Sequence, residues 1–458
     1  MVTSIESYDD ALAAIWTRSS YDRGFVSNPF AGDEAARLGL RRTEAMLARL
    51  GNPERTYPVV HVAGSKGKGS TCMFVDAILR AAGLRAGRFL SPHLHSWRER
   101  FVVDDEMISE ADFAALTGEV IDVAEAVERA DPELGQITAF ELFTAMAFQH
   151  FARSGCEVAV IEVGLGGTLD STNVVQPAVS VITTLDYEHT AILGDTMAEI
   201  AGNKAGIIKP GRPVVCATQP PEGMEVIEER AAACGAPLFV ANRDWSVSGT
   251  DRAFTVEGRW GMINGLASSL AGQHQVDNAA LAIAAVNVLR DSEPAFASVD
   301  DAAIRRGVAN TTHPGRFEQT TLPSGLPVVI DGAHTPAAAT ALAATMADRY
   351  PDARVALVIG MLRDKPPAPV LEPLLALADR AIAVAPDNPR AVAAEELRDA
   401  MVALGTTGSV AGSVAEGIDE AATSGCDVVL ITGSLVTVAE ARVAVGIAPP
   451  PDDPTKPS

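Results

Sequence analysis

The sequence predicts an α/β protein with two parallel-sheet domains, the first of P-loop type and larger, with a small β region appended, and the second a smaller C-terminal α/β unit. Three observations carry this. Short β-branched runs alternate with Ala/Leu-rich segments of helical period, the mark of a parallel sheet flanked by helices. That rhythm breaks between about 238 and 275, then restarts in the last third. At 458 residues, and roughly 150 residues per domain, the chain is long enough for two or three domains.

In chain order, "YPVVHVAG" (57–64) reads as a buried strand and "STCMFVDAILRAAG" (70–83) as the helix after it. "CEVAVIEVG" (156–164), "AVSVITTLD" (178–186) and "RPVVCAT" (212–218) are further short apolar runs bounded by turn residues. "RDWSVSGTDRAFTVEGRWGMINGLASSLAG" (243–272) has the texture of short strands and turns, and "HQVDNAALAIAAVNVLRD" (274–291) is a helix. After the polar stretch "DSEPAFASVDD", the βα rhythm resumes in "LPVVIDGAH", "RVALVIGML", "RAIAVAPD" and "CDVVLITGSLVTVAEAR". The expected division is therefore residues 1–310, 311–447 and a Pro-rich, charged tail, 448–458, expected to be disordered.

Composition narrows the function. The 36 Lys+Arg against 59 Asp+Glu give a formal charge of −23, which repels nucleic acid and anionic membrane at long range. Small anions then need local cations and helix N-termini to gather them. Five scattered cysteines (Cys72, Cys156, Cys216, Cys234, Cys426) have neither metal-ligand nor C-x-x-C spacing, so a reducing cytoplasm is expected. Residues 1–30 show no apolar signal core, and no run reaches the length of a membrane span.

"GSKGKGS" (64–70) lies between the first strand and its helix. Its glycines let backbone N–H groups turn toward an anion, Lys68 can reach outer phosphates, and the helix offers its positive end. The spacing departs from the strict G-x-x-x-x-G-K-[ST] loop, since Val62 stands five before Gly67 and Gly69 separates Lys68 from Ser70. Glu162 falls at the carboxyl end of a buried strand, where open α/β sheets keep their ligands and where a carboxylate suits Mg²⁺ beside nucleotide phosphates. Asp186, Glu188 and His189 follow another strand; Arg316 flanks a Pro-Gly turn; Asp331 and His334 end a strand in the last third. Spacing alone assigns no role to Lys204 or Lys209.

Taken in order, "RLGNPERTYPVVHVAGSKGKGS", "FLSPHLHSWRERF", "ITAFELFTAMAF", "EVGLGGTLDSTNV", "EHTAILGDTMAEIAGNKAGIIKPG", "LAGQHQVDNAALA", "HPGRFE", "DGAHTP" and "VVLITGSL" resemble the folylpolyglutamate synthase and dihydrofolate synthase family, within the Mur-type amide ligases. The resemblance spans nearly the whole chain. It implies an ATP-binding domain and a smaller α/β domain with the active site in the cleft between them. There a substrate carboxylate is activated as an acyl phosphate and attacked by the amino group of L-glutamate. ATP and Mg²⁺ are the implied cofactors, a folate or pteroate the implied acceptor, and a monomer the implied state. A Mur-like ligase with a non-folate acceptor is the alternative.

Matched residue by residue, the resemblance implies that Gly64, Ser65, Lys66, Gly67, Lys68, Gly69 and Ser70 form the phosphate loop. Ser70, Glu162 and His189 match magnesium ligands, and Lys204 matches a lysine that the family carbamylates to help hold a second metal. Lys68, His189 and Lys204 are thus the implied catalytic set. Asn278, Arg316, Asp331 and His334 match ATP-binding positions; Ser91, Pro92 and His93, with Thr138, Phe140 and Glu141, match segments lining the pterin-side pocket. The chain departs from the family pattern at Ser65 and Lys66 in place of Thr-Asn, Thr168 in place of Arg, Glu188 in place of Asp, Asn203 in place of Glu, His313 in place of Trp, and Thr335 in place of Asn. Lys66 either strengthens anion binding or points to solvent.

Overall fold

The computed structural model describes residues 5–19, 33–363 and 365–452, the side chains of 33–37 excepted. The alternation read from the sequence resolves into two sheets. The first contains β1 (Val59–Ala63), β2 (Ala86–Phe89), β3 (Val102–Val103), β4 (Glu106–Met107), β5 (Val158–Glu162), β6 (Val179–Ile182), β7 (Val214–Cys216) and β8 (Leu238–Val240), in the order β4-β3-β2-β5-β1-β6-β7-β8. All its pairings from β2 to β8 are parallel, and β3 and β4 close one edge antiparallel.

β1 is buried along its whole length because helices cover both faces. Val60 and Val62 face Phe74, Ile78 and Ile283 of the helices Lys68–Ala81 and Gln273–Ser292. Val59 joins the opposite cluster with Phe143 and Phe151 of the helix Ala139–Arg153. His61, fully buried on β1, is the polar exception: its Nε2 meets the Thr172 hydroxyl at 2.9 Å, and burial drives its pKa down to about 3, so the ring is neutral.

A three-stranded antiparallel sheet follows, of β9 (Trp245–Thr250), β10 (Ala253–Gly258) and β11 (Gly261–Leu266). It is the appended β region, although β8, at the start of that stretch, belongs to the main sheet. The second large sheet is built from β12 (Glu318–Thr321), β13 (Pro327–Ile330), β14 (Val355–Ile359), β15 (Ala378–Ala383), β16 (Gly408–Val410) and β17 (Val428–Thr432), in the order β12-β13-β17-β14-β15-β16. Only β12 is antiparallel.

The tail corrects one expectation. Residues 448–452 are placed, with the Asp452 carboxylate accepting from the Trp97 N–H at 2.8 Å and from the Tyr8 phenol; these part-buried bonds hold a stretch whose Pro-rich, charged composition suggested disorder. Residues 453–458 lie outside the described residues.

Candidate active site

The carboxyl ends of β1, β5 and β6 lie side by side, since β1 pairs with both neighbours. They present the loop 64–70, Glu162 and the segment 183–189 at one sheet edge. Gly64 and Gly67 both take left-handed or strongly positive φ (151° and 85°), and a Cβ at Gly67 would lie 2.2 Å from the Asn278 Oδ1. Glycine is thus required twice over, by backbone and by the close approach of Asn278. The Ser65 and Lys66 N–H groups both donate to the Thr184 carbonyl at 3.0 Å, which turns them away from an anion. The amides left to face a phosphate are those opening the helix Lys68–Ala81.

Two lysines converge on the Gly64 carbonyl, Lys68 Nζ at 3.1 Å and Lys204 Nζ at 2.8 Å. Lys204 is 3% exposed; burial, and then the Lys68 ammonium, bring its pKa down to about 7. Glu162, equally buried, accepts the Ser91 N–H at 3.0 Å on Oε2, while its Oε1 faces the Gly69 backbone. Burial raises its pKa, against the pull of Lys68, Arg316 and Arg100. Glu188 pairs with Lys66 at 3.4 Å and with His189 at 3.6 Å. Burial works to raise the Glu188 carboxyl, but Lys66, Lys68 and His189 outweigh it and hold it below its ordinary range. Burial lowers the His189 pKa.

The Glu162 carboxylate, whose Oε1 faces the Gly69 backbone, and the hydroxyl of the next residue, Ser70, are oxygen donors that fit Mg²⁺, a hard ion that takes one or two protein oxygens and leaves its other positions to water and phosphate. Among the described residues no three His, Cys, Asp or Glu side chains gather as a metal-binding group, so Glu162, Glu188 and His189 are not brought to one point.

The second sheet supplies the facing wall. His313 Nδ1 meets the Ser70 hydroxyl at 3.2 Å, a contact between segments far apart in sequence that composition and spacing did not suggest. Arg316 follows Gly315, and its Nη1 donates to the Gly315 carbonyl at 3.0 Å. Phe317 is held at φ 45°, rarely adopted by a bulky residue, and its N–H donates to Asp331 at 2.7 Å. The other Asp331 oxygen accepts from Ala333 N–H at 2.8 Å. The Asp331 carboxylate therefore shapes the two turns that carry Arg316 and His334. His334 Nδ1 lies 2.7 Å from the Gly332 carbonyl, and burial, with Lys66 adding to it, lowers its pKa. Lys365 bears electrostatically on His189 from the same wall.

Beside Glu162, Phe140 packs over Gly164, where a Cβ would sit 2.4 Å from its ring. Thr138 caps the helix Ala139–Arg153. Glu141 is buried, and Arg42 grips both its oxygens at 2.7 and 2.8 Å while the Thr138 N–H adds a third bond at 3.0 Å. Glu141 therefore fixes the segment carrying Phe140 and has little capacity left for a ligand. His93 accepts from the Arg100 Nε at 3.0 Å.

A parallel-sheet phosphate loop facing a second α/β domain across Arg316 and His334 defines a Mur-type ligase architecture. Residues 62–286 match the Mur ligase middle domain and 315–435 the Mur ligase glutamate ligase domain. The chain is 36% identical over 412 residues to the dihydrofolate synthase/folylpolyglutamate synthase of Bacillus subtilis, covering 88% of this chain and 94% of the relative. It is 35% identical over 448 residues to the Mycobacterium tuberculosis protein of that name, covering 90% of each. The solved M. tuberculosis folylpolyglutamate synthase complexed with ADP and AMPPCP superposes with a TM-score of 0.83 at 34% identity, over 90% of this chain and 96% of that one. E. coli FolC in complex with DHPP and ADP gives 0.82 at 31%, over 96% and 97%. The chain belongs to the dihydrofolate synthase/folylpolyglutamate synthase family.

Proposed function

We propose that this chain is an ATP-dependent amide ligase that adds L-glutamate to a folate-type carboxylate, on dihydropteroate, on reduced folates, or on both. The observation that carries this is the meeting of the phosphate loop, Glu162 and two lysines at one sheet edge, with His313 of the facing wall 3.2 Å from Ser70. In this reading the nucleotide-side domain comprises residues 1–310 and the glutamate-side domain 311–447.

The loop amides of residues 67–70, with Lys68, hold the outer phosphates; Asn278 on one side and Arg316 and His334 on the other hold the nucleotide. Ser70 and Glu162 are the donors for Mg²⁺, which when bound neutralises charge spread over the transferring phosphoryl group. His189 and a carbamylated Lys204 serve a second metal. Ser91, Pro92, His93 and Phe140 line the acceptor pocket.

An oxygen of the acceptor carboxylate forms a bond to the γ-phosphorus as the bond to ADP breaks. The glutamate nitrogen then bonds to the acyl carbon, inorganic phosphate leaves, and the amine proton is released. Lys68 and Arg316 stabilise charge that grows in both steps. Because Lys204 and Glu162 are buried, the same charges act through a medium less screened than water.

The net charge of −23 supports small-molecule substrates over nucleic acid or membrane, and the five free thiols accord with a reducing cytoplasm.

Separate incubations with ATP, Mg²⁺, L-glutamate and either dihydropteroate or tetrahydrofolate test the assignment. The expected product by mass is the acceptor extended by glutamate, with phosphate released only when all components are present. ATP cleavage indifferent to both pterins overturns the folate reading and leaves a Mur-like ligase for another carboxylate.

A further inference from the structure

The segment 91–100 forms one wall of the proposed acceptor pocket, and carboxylates hold it at successive backbone amides. Glu162 takes the Ser91 N–H. Glu99 takes those of Leu94, His95 and Ser96 at 2.8, 2.8 and 2.9 Å. The next amide, Trp97, donates at 2.8 Å to a residue 355 positions later, Asp452. The same Asp452 oxygen accepts from the Tyr8 phenol, and the Asp452 N–H donates to the His95 carbonyl at 2.6 Å. The last residues described after the helix Leu435–Ala444 therefore reach back to this bend and bond it at two points, the His95 carbonyl and the Trp97 N–H.

One packing contact and one electrostatic influence tie the bend to the second domain. Leu94 packs against the cluster of Val328, Ile330 and Val438. His95 is 4% exposed, and its ring feels Arg442 and Glu318, which pair with each other at 2.9 Å. The wall is transmitted inward by Trp97, whose ring stands 5.9 Å from His93 and 5.2 Å from Phe143. It is transmitted as well by Arg100, which closes the short turn opened at Trp97 and donates to His93.

We propose that Asp452 is a positioning residue for acceptor binding: the C-terminal segment is a clasp that fixes the 91–100 wall and couples it to the glutamate-side domain. This rests on the reading of Ser91, Pro92 and His93 as acceptor contacts. A carboxylate receiving one backbone N–H and one phenol, both bonds part-buried, makes charge-assisted bonds that are stronger than neutral ones. Nothing else among the described residues takes the Trp97 N–H.

The test uses the full chain and the variants D452A and Y8F, with backbone amide exchange as one readout and steady-state kinetics as the other. D452A is expected to speed exchange at the Trp97 amide by about tenfold or more, the loss of one charge-assisted bond, with slower protected amides in β1 and β5 unchanged. The acceptor KM is expected to rise several-fold while the ATP KM stays the same, and Y8F, which removes the hydroxyl that meets Asp452 and Ser96 but leaves the Trp97 bond, is expected to give a smaller change of the same kind. Unchanged exchange at Trp97 in D452A overturns the clasp, and so does an equal rise in both KM values, which marks general loosening. Inactivity of the wild-type chain with both pterins overturns the ligase reading instead, and the exchange arm then judges the clasp by itself.

Discussion

Two ammonium groups share the Gly64 carbonyl, and only one of them is close to solvent. Lys204 answers the crowding by giving up its proton near pH 7: burial disfavours the charged form and Lys68 repels it. A neutral amine attacks the carbon of CO₂ and loses a proton to give a carbamate, and that product, an anion, turns the repulsion by Lys68 into attraction. Carbamylation at Lys204 should therefore increase as pH rises through about 7, where an ordinary lysine would still be charged. With ¹³C-bicarbonate, a carbamate carbon resonance is expected that grows from roughly pH 6 to pH 8 and is absent in K204A; a signal that persists in K204A places the modification elsewhere. Several departures from the family pattern are also resolved at this scale, because they meet in pairs. Lys66 pairs with Glu188 at 3.4 Å while its side chain remains 27% exposed. The Thr168 hydroxyl and N–H both bond the Asn203 carbonyl, at 2.9 and 2.8 Å, beside a surface cavity of about 420 Å³ that these two residues line with Leu193 and Glu199. Two neutral residues thus stand together where the family carries Arg and Glu. Thr335 caps the helix Pro336–Arg349.

Among elements, the helix Ala139–Arg153 shows how a buried pair serves a site. Arg42 and Glu141 are 12% and 5% exposed at their side chains, and burial still leaves the Glu141 pKa raised despite Arg42. R42A removes the guanidinium and strands the carboxylate, which should cost about 3 kcal/mol of stability. The stranded carboxyl titrates at still higher pH, so protonation relieves the loss and the difference from wild type should shrink as pH falls toward 5. Urea unfolding at two pH values measures both; a pH-independent loss would assign the effect to packing. The strands themselves were legible. "EVAVIEVG" became Val158–Glu162, "AVSVITTLD" became Val179–Ile182, and "HQVDNAALAIAAVNVLRD" fell inside Gln273–Ser292, because local apolar period reports burial directly. The loop 64–70 and Glu162 were legible for the same reason, lying at the ends of those strands. What periodicity could not report is which distant loops meet. Ser70 with His313, Glu141 with Arg42 and Trp97 with Asp452 are separated by long stretches of chain, and nothing in either local sequence encodes its partner.

At the scale of the molecule, the two domains meet at several places among the described residues, and three of them do different things. Ser70 and His313 close the cleft, Leu94 and Asp452 close the acceptor side, and the appended sheet meets the helix Pro336–Arg349 at the far end. There Arg349 binds Asp251 at 2.6 Å, Asp251 also accepts the Gly272 N–H at 2.6 Å, and Arg252 binds Asp348 at 2.9 Å. Asp251 is 6% exposed at its side chain and Arg349 24%, so the first pair is more sheltered than the second and carries more of the coupling. Gly272 opens the helix that bears Asn278, so this contact also sets the nucleotide side relative to Arg316 and His334 on the other domain. R349A should then raise the ATP KM, since the two halves of the nucleotide site are less well registered, and leave the acceptor KM nearly unchanged, opposite to the pattern expected for D452A. It should also weaken cooperation between the domains: a loss of about 1–2 kcal/mol at the interface moves the midpoint of a domain of this size by roughly 2–8 °C, enough to broaden or split a calorimetric transition. Unaltered calorimetry with an unaltered ATP KM would show that the far contact is ornamental and that the domains are registered without it, by the cleft and the acceptor-side contacts.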